Sequence, residues 1–217
     1  MNLERTQTFF HQYAGDFDAI YGNKNGAING FINRNFRRSM RLRYEKAVEG
    51  CEPVRGKSIL DVGCGPGHYS ITLAQRGAGR VVGIDFADGM LSLAREHAKQ
   101  LGVGGQCTFL SGDFLTYEPG TKFDHVIVTG FMDYMPNPEQ VIEKVLSLTT
   151  QKAFFSFPIA GGLLGWQRAV RYKRRCDLFL YSRERLDKIL SRFPQANTTV
   201  ETISRDFFVT LAPRPVR

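Results

Sequence analysis

Residues 58–70 read SILDVGCGPGHYS, an apolar run that meets a glycine cluster and passes into a helical pattern. Ile59, Leu60 and Val62 read as a buried strand with Asp61 at its end, and Gly63-Cys64-Gly65-Pro66-Gly67 as the turn. Glycines at 63, 65 and 67 admit φ > 0 and let a ligand approach main-chain N–H groups that a Cβ would screen. The helix that follows, with Ile71 and Ala74 on one face, points its own unpaired N–H groups at the same turn. Tight strand-to-helix turns also use glycine for purely structural reasons, so the next unit matters. Arg80-Val81-Val82-Gly83-Ile84-Asp85 reads as a second buried strand ending in a carboxylate. An acid about 20 residues past such a turn is placed to accept hydrogen bonds from the ribose hydroxyls of a nucleoside. Strand, glycine turn, helix, strand and acid make one nucleoside-binding half of a doubly wound sheet.

The spacing narrows the nucleoside. A dinucleotide fingerprint places glycine where this chain has His68, and no G-x-x-x-x-G-K-[ST] phosphate loop is present. With DVGCGPG at 61–67, GIDFADGM at 83–90 and SGDF at 111–114, residues 55–212 resemble the class I S-adenosylmethionine-dependent methyltransferases. The resemblance implies an α/β doubly wound, Rossmann-like seven-stranded methyltransferase sheet with its last strand antiparallel. The implied cofactor is S-adenosyl-L-methionine, released as S-adenosyl-L-homocysteine. Its implied contacts are the backbone of Gly63, Cys64, Gly65 and Gly67, and Asp85 at the ribose. Asp61 would lie under the methionine moiety near its amino group, or only cap the turn. Asp113 of Gly112-Asp113-Phe114 would accept from the adenine amino group while the Phe114 N–H meets a ring nitrogen; the alternative is an N-capping aspartate. Thr129-Gly130-Phe131, at the end of the fourth strand, would lie beneath the ligand. Phe86 and Met90 would sandwich the adenine, or simply be core.

The chain has 217 residues, enough for one domain with an appendage, and its 42% hydrophobic and 23% charged content is ordinary for a globular protein. No apolar run reaches the length of a membrane span. The N-terminal residues lack the apolar core of an export signal, so a cytoplasmic setting is expected. Cys51, Cys64, Cys107 and Cys176 are widely spaced, which indicates neither a disulfide framework nor a zinc site, and no metal is called for. The formal net charge of +8 speaks about partners only where it clusters.

An N-terminal helical cap is expected over residues 1–50. Phe9, Phe10, Tyr13, Phe17, Ile20 and Tyr21 recur at helical intervals, and the Gly22–Gly26 stretch breaks the pattern. A second helix is expected from about Ile28 to Val48, with Ile28, Ile32, Phe36, Met40, Tyr44 and Val48 inward and Arg34, Arg37, Arg38 and Arg41 on the opposite, basic face. Residues 51–217 then form the cofactor-binding domain, with strands at about 108–110, 123–128 and 153–157, Asn137 as an N-cap before Pro138, an insertion at about 158–181, a helix capped by Ser182, and a closing hairpin over 198–203 and 206–211. Tyr13 and Tyr21 of the cap are expected to line the cofactor's exit.

Methyl transfer from a sulfonium is an in-line displacement with a good leaving group, so alignment and desolvation carry much of the acceleration. A general base is needed only for a protonated acceptor, and the candidates are Tyr13, His68, Asp133 and Tyr134; His97 and His125 are expected to be solvated. Thr129-Gly130-Phe131-Met132-Asp133-Tyr134 stands where amino-base methylating relatives carry (N/D)-P-P-(Y/F), which lowers DNA N-methylation. The expected acceptor is a small or lipid-like anionic metabolite, methylated at oxygen in preference to nitrogen. Trp166, Arg171, Arg174 and Arg175 are its candidate contacts, since the insertion offers cations beside apolar side chains, which would also suit peripheral membrane contact. A solvated basic face is the plain alternative. The basic residues at 34–43 and 168–175 keep an RNA acceptor as a rival, and a cofactor-binding module without turnover is another.

Overall fold

The structure, a computed structural model, describes residues 27–161 and 178–214, with side chains described from residue 38 onward. The first predicted helix, with Tyr13 and Tyr21, and the insertion residues Trp166, Arg171, Arg174 and Arg175 lie outside the described residues. The strands are β1 (Ser58–Val62), β2 (Arg80–Asp85), β3 (Cys107–Ser111), β4 (Phe123–Val128), β5 (Thr149–Pro158), β6 (Ala196–Ile203) and β7 (Asp206–Pro213). The helices are α1 (Ala27–Gly50), α2 (His68–Gln75), α3 (Asp88–Gln100), α4 (Pro138–Leu148) and α5 (Arg183–Leu190).

All seven strands form one sheet in the order β3-β2-β1-β4-β5-β7-β6, parallel except for β7, which pairs antiparallel with both neighbours. This is the architecture that the resemblance implies, with the closing hairpin in place. The order reverses between β1 and β4, and at such a switch point the loops beyond the strand ends diverge and leave a crevice for a ligand. Neighbouring residues in the central strands face opposite layers. Leu60, Val126 and Phe155 pack with Val141 and Val145 of α4 and Leu186 of α5. Ile59, Ile127 and Phe154 pack on the other side with Leu73 of α2, Leu91 and Ala94 of α3, and Ala47 and Val48 of α1. Helices on both faces explain why these strands read as unbroken apolar runs. Among the described residues, no helix is long and apolar enough to cross a membrane.

Several local expectations are corrected. Strand β5 begins at Thr149 because α4 hands over to it directly, and the Thr149 hydroxyl donates back to the Val145 carbonyl at 2.7 Å. Asn137 stands at the N-cap before Pro138, but its side chain makes no capping bond; Ser182 does cap α5, accepting from the Arg185 N–H at 3.1 Å. Met40 and Tyr44 are only half-buried, and the deeply buried line of α1 is Ser39, Arg43, Ala47 and Val48. Arg38 and Arg41 are exposed as expected. Arg43 is turned inward.

His125, expected at the surface, is buried beside the Phe154 ring at a centroid distance of 6.2 Å. A parallel strand covered on both faces leaves few solvent positions even for polar residues. Burial, assisted by the Lys152 charge, pulls the imidazole from its ordinary 6.5 down to about 4. Between those limits the unfolded chain binds a proton that the folded protein refuses, so acidification weakens the fold by up to about 1.4 kcal/mol per pH unit. Asp61, whose carboxyl is shifted upward, acts in the opposite direction over the same window, so the wild-type profile alone does not isolate His125. His125→Gln removes the titration. Urea denaturation at about pH 7 and about pH 4.5 should show the variant gaining on the wild type as pH falls; a constant difference would mean that His125 is not held neutral.

Candidate functional site

The turn after β1 is held by backbone and carboxylate together. The N–H groups of Gly63 and Cys64 both donate to the Ile84 carbonyl, at 2.8 and 3.2 Å. Asp85, at the end of β2, braces both loops: one carboxylate oxygen accepts from the Gly65 N–H and the other from the Ala87 N–H, each at 2.9 Å. Its carbonyl accepts from the Gly112 N–H at 3.0 Å, which ties the loop after β3 to the same point. The glycines then divide in role. A Cβ on Gly63 would sit 2.9 Å from the Phe131 ring, so this glycine permits close packing. Gly65, at φ +52, has nothing within 4 Å of such a Cβ, and its open side is where a ligand can reach the main chain.

Asp61 lies behind the turn, 2% exposed, and accepts from the Ser70 hydroxyl at 2.7 Å. Burial pushes its carboxyl from the ordinary 3.8 up to about 7, with the Asp85 charge adding to the rise and the Ser70 hydrogen bonds opposing it. A carboxylate so poorly solvated favours a cationic neighbour. Burial, together with Asp61 and Asp85, also drives the Cys64 thiol well above its ordinary range, which leaves it a packing group and not a nucleophile. Gly83, which the sequence reading did not single out, is what lets the turn settle on the sheet: a Cβ there would lie 2.8 Å from the Cys64 sulfur and from Phe109.

Asp113 is exposed and caps the short 3-10 turn Phe114–Thr116, its Oδ1 accepting from the Leu115 N–H at 2.9 Å. Phe114 is buried, edge-on to Phe131 at a centroid distance of 6.3 Å. Phe86 is half-buried, and Met90 is 2% exposed. Thr129 and Gly130 are half-buried at the end of β4, and the Gly130 N–H donates to the Ser156 hydroxyl oxygen at 2.8 Å. Ser156 escaped the sequence reading because its contacts, to Arg43 and Gly130, are long-range and carry no motif; Ser70 lay within the opening stretch, but its bond to Asp61 was not foreseen.

Of the candidate bases, His68 is exposed at the first position of α2, whereas Asp133 (3% exposed) and half-buried Tyr134 belong to the 3-10 turn Met132–Tyr134 beyond β4. That turn is fastened to the base of the insertion. The Phe179 N–H donates to the Asp133 carbonyl at 2.8 Å, and the fully buried Tyr181 hydroxyl donates to the Met132 carbonyl at 3.3 Å. Pro158 and Ala160 exchange backbone bonds with Tyr181, each 2.8 Å, so the insertion leaves and rejoins the fold at the end of β5, beside Met132–Tyr134. Among the described residues, no group of three or more His, Cys, Asp or Glu side chains is placed to hold a metal.

A glycine turn braced by a strand-end carboxylate, at the switch point of a doubly wound parallel sheet, defines a Rossmann-like nucleoside-binding domain. Residues 53–157 match the family model described as a methyltransferase domain. The chain is 33% identical over 121 residues to a ubiquinone biosynthesis O-methyltransferase of Coxiella burnetii, and 35% identical over 103 residues to one of Pseudomonas fluorescens. These alignments cover 54% and 46% of this chain and 49% and 44% of the relatives, so the chain spans about half the length of the curated relatives it matches. Its fold is similar to that of the magnesium protoporphyrin IX methyltransferase of Synechocystis PCC 6803, solved with bound SAH, at a TM-score of 0.76 and 22% identity over 96% of this chain and 98% of that one. Residues 53–157 thus match a methyltransferase domain, set in a fold similar to that of a methyltransferase solved with bound SAH.

Proposed function

We propose that the protein binds S-adenosyl-L-methionine and transfers its methyl group to an oxygen of a small, anionic and partly apolar acceptor in the cytoplasm. The observation that carries the cofactor reading is the Asp85-braced glycine turn at the switch point between β1 and β4, with open space beside Gly65. The residues present fit that cofactor. Asp85 suits the ribose hydroxyls, the main chain of Gly63–Gly67 the methionine portion, and the desolvated Asp61 its ammonium group. Asp113 and the Phe114 N–H suit the adenine edge, beside Phe86 and Met90. Thr129 and Gly130 form the floor. When bound, the cofactor supplies an electrophilic methyl group on a sulfonium.

The protein's own contribution is orientation and exclusion of water. Phe131 covers Gly63 and abuts Phe114, which keeps the region between the β1 and β3 loops apolar. Asp133 and Tyr134 stand beyond β4 as candidates to take the acceptor's proton, with His68 and Tyr13 as the others. Oxygen as the acceptor atom is favoured by the names of the similar ubiquinone biosynthesis O-methyltransferases. Free thiols at Cys51, Cys64 and Cys107 are in keeping with a reducing compartment. An RNA acceptor is the second reading: Arg38 and Arg41 of the basic run are exposed to phosphates, whereas Arg43 is buried.

For the acceptor's charge, the support is positional: the segment bearing Trp166, Arg171, Arg174 and Arg175 starts and ends beside Met132–Tyr134. Tyr13 and Tyr21, in the cap, would border the cofactor's exit. Incubation with methyl-labelled cofactor and fractionated extracts should place label in an acidic small-molecule or lipid fraction. Label in RNA, or none at all, would overturn the acceptor class. With that fraction as substrate, changing Arg171, Arg174 and Arg175 together to glutamate should raise the acceptor KM by about a hundredfold while leaving cofactor affinity within about twofold, as expected when guanidinium–anion pairs are reversed. An unchanged KM would make the cluster a solvated face.

A further inference from the structure

Where β4, β5 and β7 meet α1, four polar side chains are buried together: Ser39 (3% exposed), Arg43 (8%), Ser156 (0%) and Asp206 (1%). Ser39 donates to the Asp206 carboxylate, and Arg43 Nε lies 3.6 Å from the same oxygen. Arg43 Nη1 donates to the Ser156 hydroxyl oxygen at 3.3 Å, and that oxygen is also the acceptor for the Gly130 N–H at 2.8 Å. Gly130 has φ +72, and a Cβ there would lie 3.7 Å from Arg43 Nη1. The next residue, Phe131, is packed over Gly63 of the cofactor turn and against Phe114. A continuous line of contacts thus runs from Arg43 through Ser156, Gly130 and Phe131 to Gly63.

Burying two opposite charges gains little net stability, because desolvation roughly cancels their attraction. What such a pair supplies here is geometry: a planar guanidinium presents its donors in a rigid fork, one edge toward Asp206 and one toward Ser156. We infer that Arg43 is a positioning residue for the cofactor site, holding the β4 loop through Ser156 and Gly130 so that Phe131 stays seated on Gly63. The inference rests on the cofactor reading proposed above. It also makes α1, which follows the N-terminal segment, a direct support of the site.

Two variants separate positioning from bulk stability. Arg43→Lys keeps a charge opposite Asp206 but has no fork, and Ser156→Ala removes the shared acceptor while leaving the ion pair. Calorimetry with S-adenosylhomocysteine should show both binding about tenfold more weakly than wild type. In amide NMR spectra of the free proteins, the Gly130 and Phe131 resonances should move. Wild-type affinity in Arg43→Lys, whatever happens to its melting temperature, overturns the proposal. Should wild type itself fail to bind S-adenosylhomocysteine, the cofactor reading falls and the positioning role with it, whereas unmoved Gly130 and Phe131 amides in Arg43→Lys, with wild-type binding intact, refute the positioning alone.

Discussion

In Asp85→Ala, calorimetric titration with S-adenosylhomocysteine should give a Kd about a hundredfold weaker than wild type, or weaker still, since each lost charge-assisted hydrogen bond is worth about 1.5–3 kcal/mol. Part of that loss is the ribose contact itself. The remainder comes from the protein, because the same carboxylate braces Gly65 and Ala87 at 2.9 Å each, so alanine also releases the turn that presents the main chain to the ligand. Asp85→Asn separates the contributions. It retains the shape and one acceptor oxygen, but its NH2 must face a backbone N–H of either Gly65 or Ala87, and an intermediate affinity is expected. The sheet should persist in both variants, because Asp85 is half-buried at a strand end and outside both apolar clusters. Unchanged S-adenosylhomocysteine binding by Asp85→Ala would remove the nucleoside assignment of the whole turn.

The glycine turn and Asp85 were legible in the sequence because their chemistry is local: a buried strand, a backbone that must bend sharply, and an acid at a fixed distance. The doubly wound class followed from the same units, with family resemblance supplying the seven strands and the antiparallel end, whereas the strand order came from the structure. Arg43 was not legible. In a helix that also carries Arg34, Arg37, Arg38 and Arg41, one more arginine reads as solvated, and its burial depends on Asp206 and Ser156 from strands far along the chain. His125 was misplaced for a related reason, since a polar residue near the start of a strand suggests an edge unless the pairing is known; here β1 and β5 flank β4 on either side. Asp113 shows a third limit. The N-capping geometry is present, yet a cap uses one carboxylate oxygen and says nothing against a ligand at the other.

The affinity for S-adenosylhomocysteine should fall as the solution is acidified below about pH 7, by about tenfold per pH unit, because of Asp61. Its carboxyl is raised to about 7 by burial in the free protein, so at lower pH the site holds a neutral acid where the ligand's ammonium requires a carboxylate. Binding there must expel a proton, and each unit of pH costs about 1.4 kcal/mol. The sign for the free protein is the reverse. A folded-state value above the ordinary 3.8 means that Asp61's contribution to stability is complete below about 3.8 and is lost as pH rises through about 7. The ligand is thus expected to stabilise the fold most where Asp61 alone weakens it. Asp61→Asn should bind with a nearly flat profile that meets the wild-type curve at low pH and lies well above it in Kd at about pH 8. Ser70→Ala supplies the sharper control. The Ser70 hydroxyl donates to the carboxylate at 2.7 Å and favours the charged form, so its loss should raise the Asp61 pKa further and move the pH dependence upward, whereas a role in packing alone would leave the midpoint in place. A wild-type Kd constant between about pH 5.5 and 7.5 would take Asp61 away from the ammonium and leave it as a cap for the glycine turn.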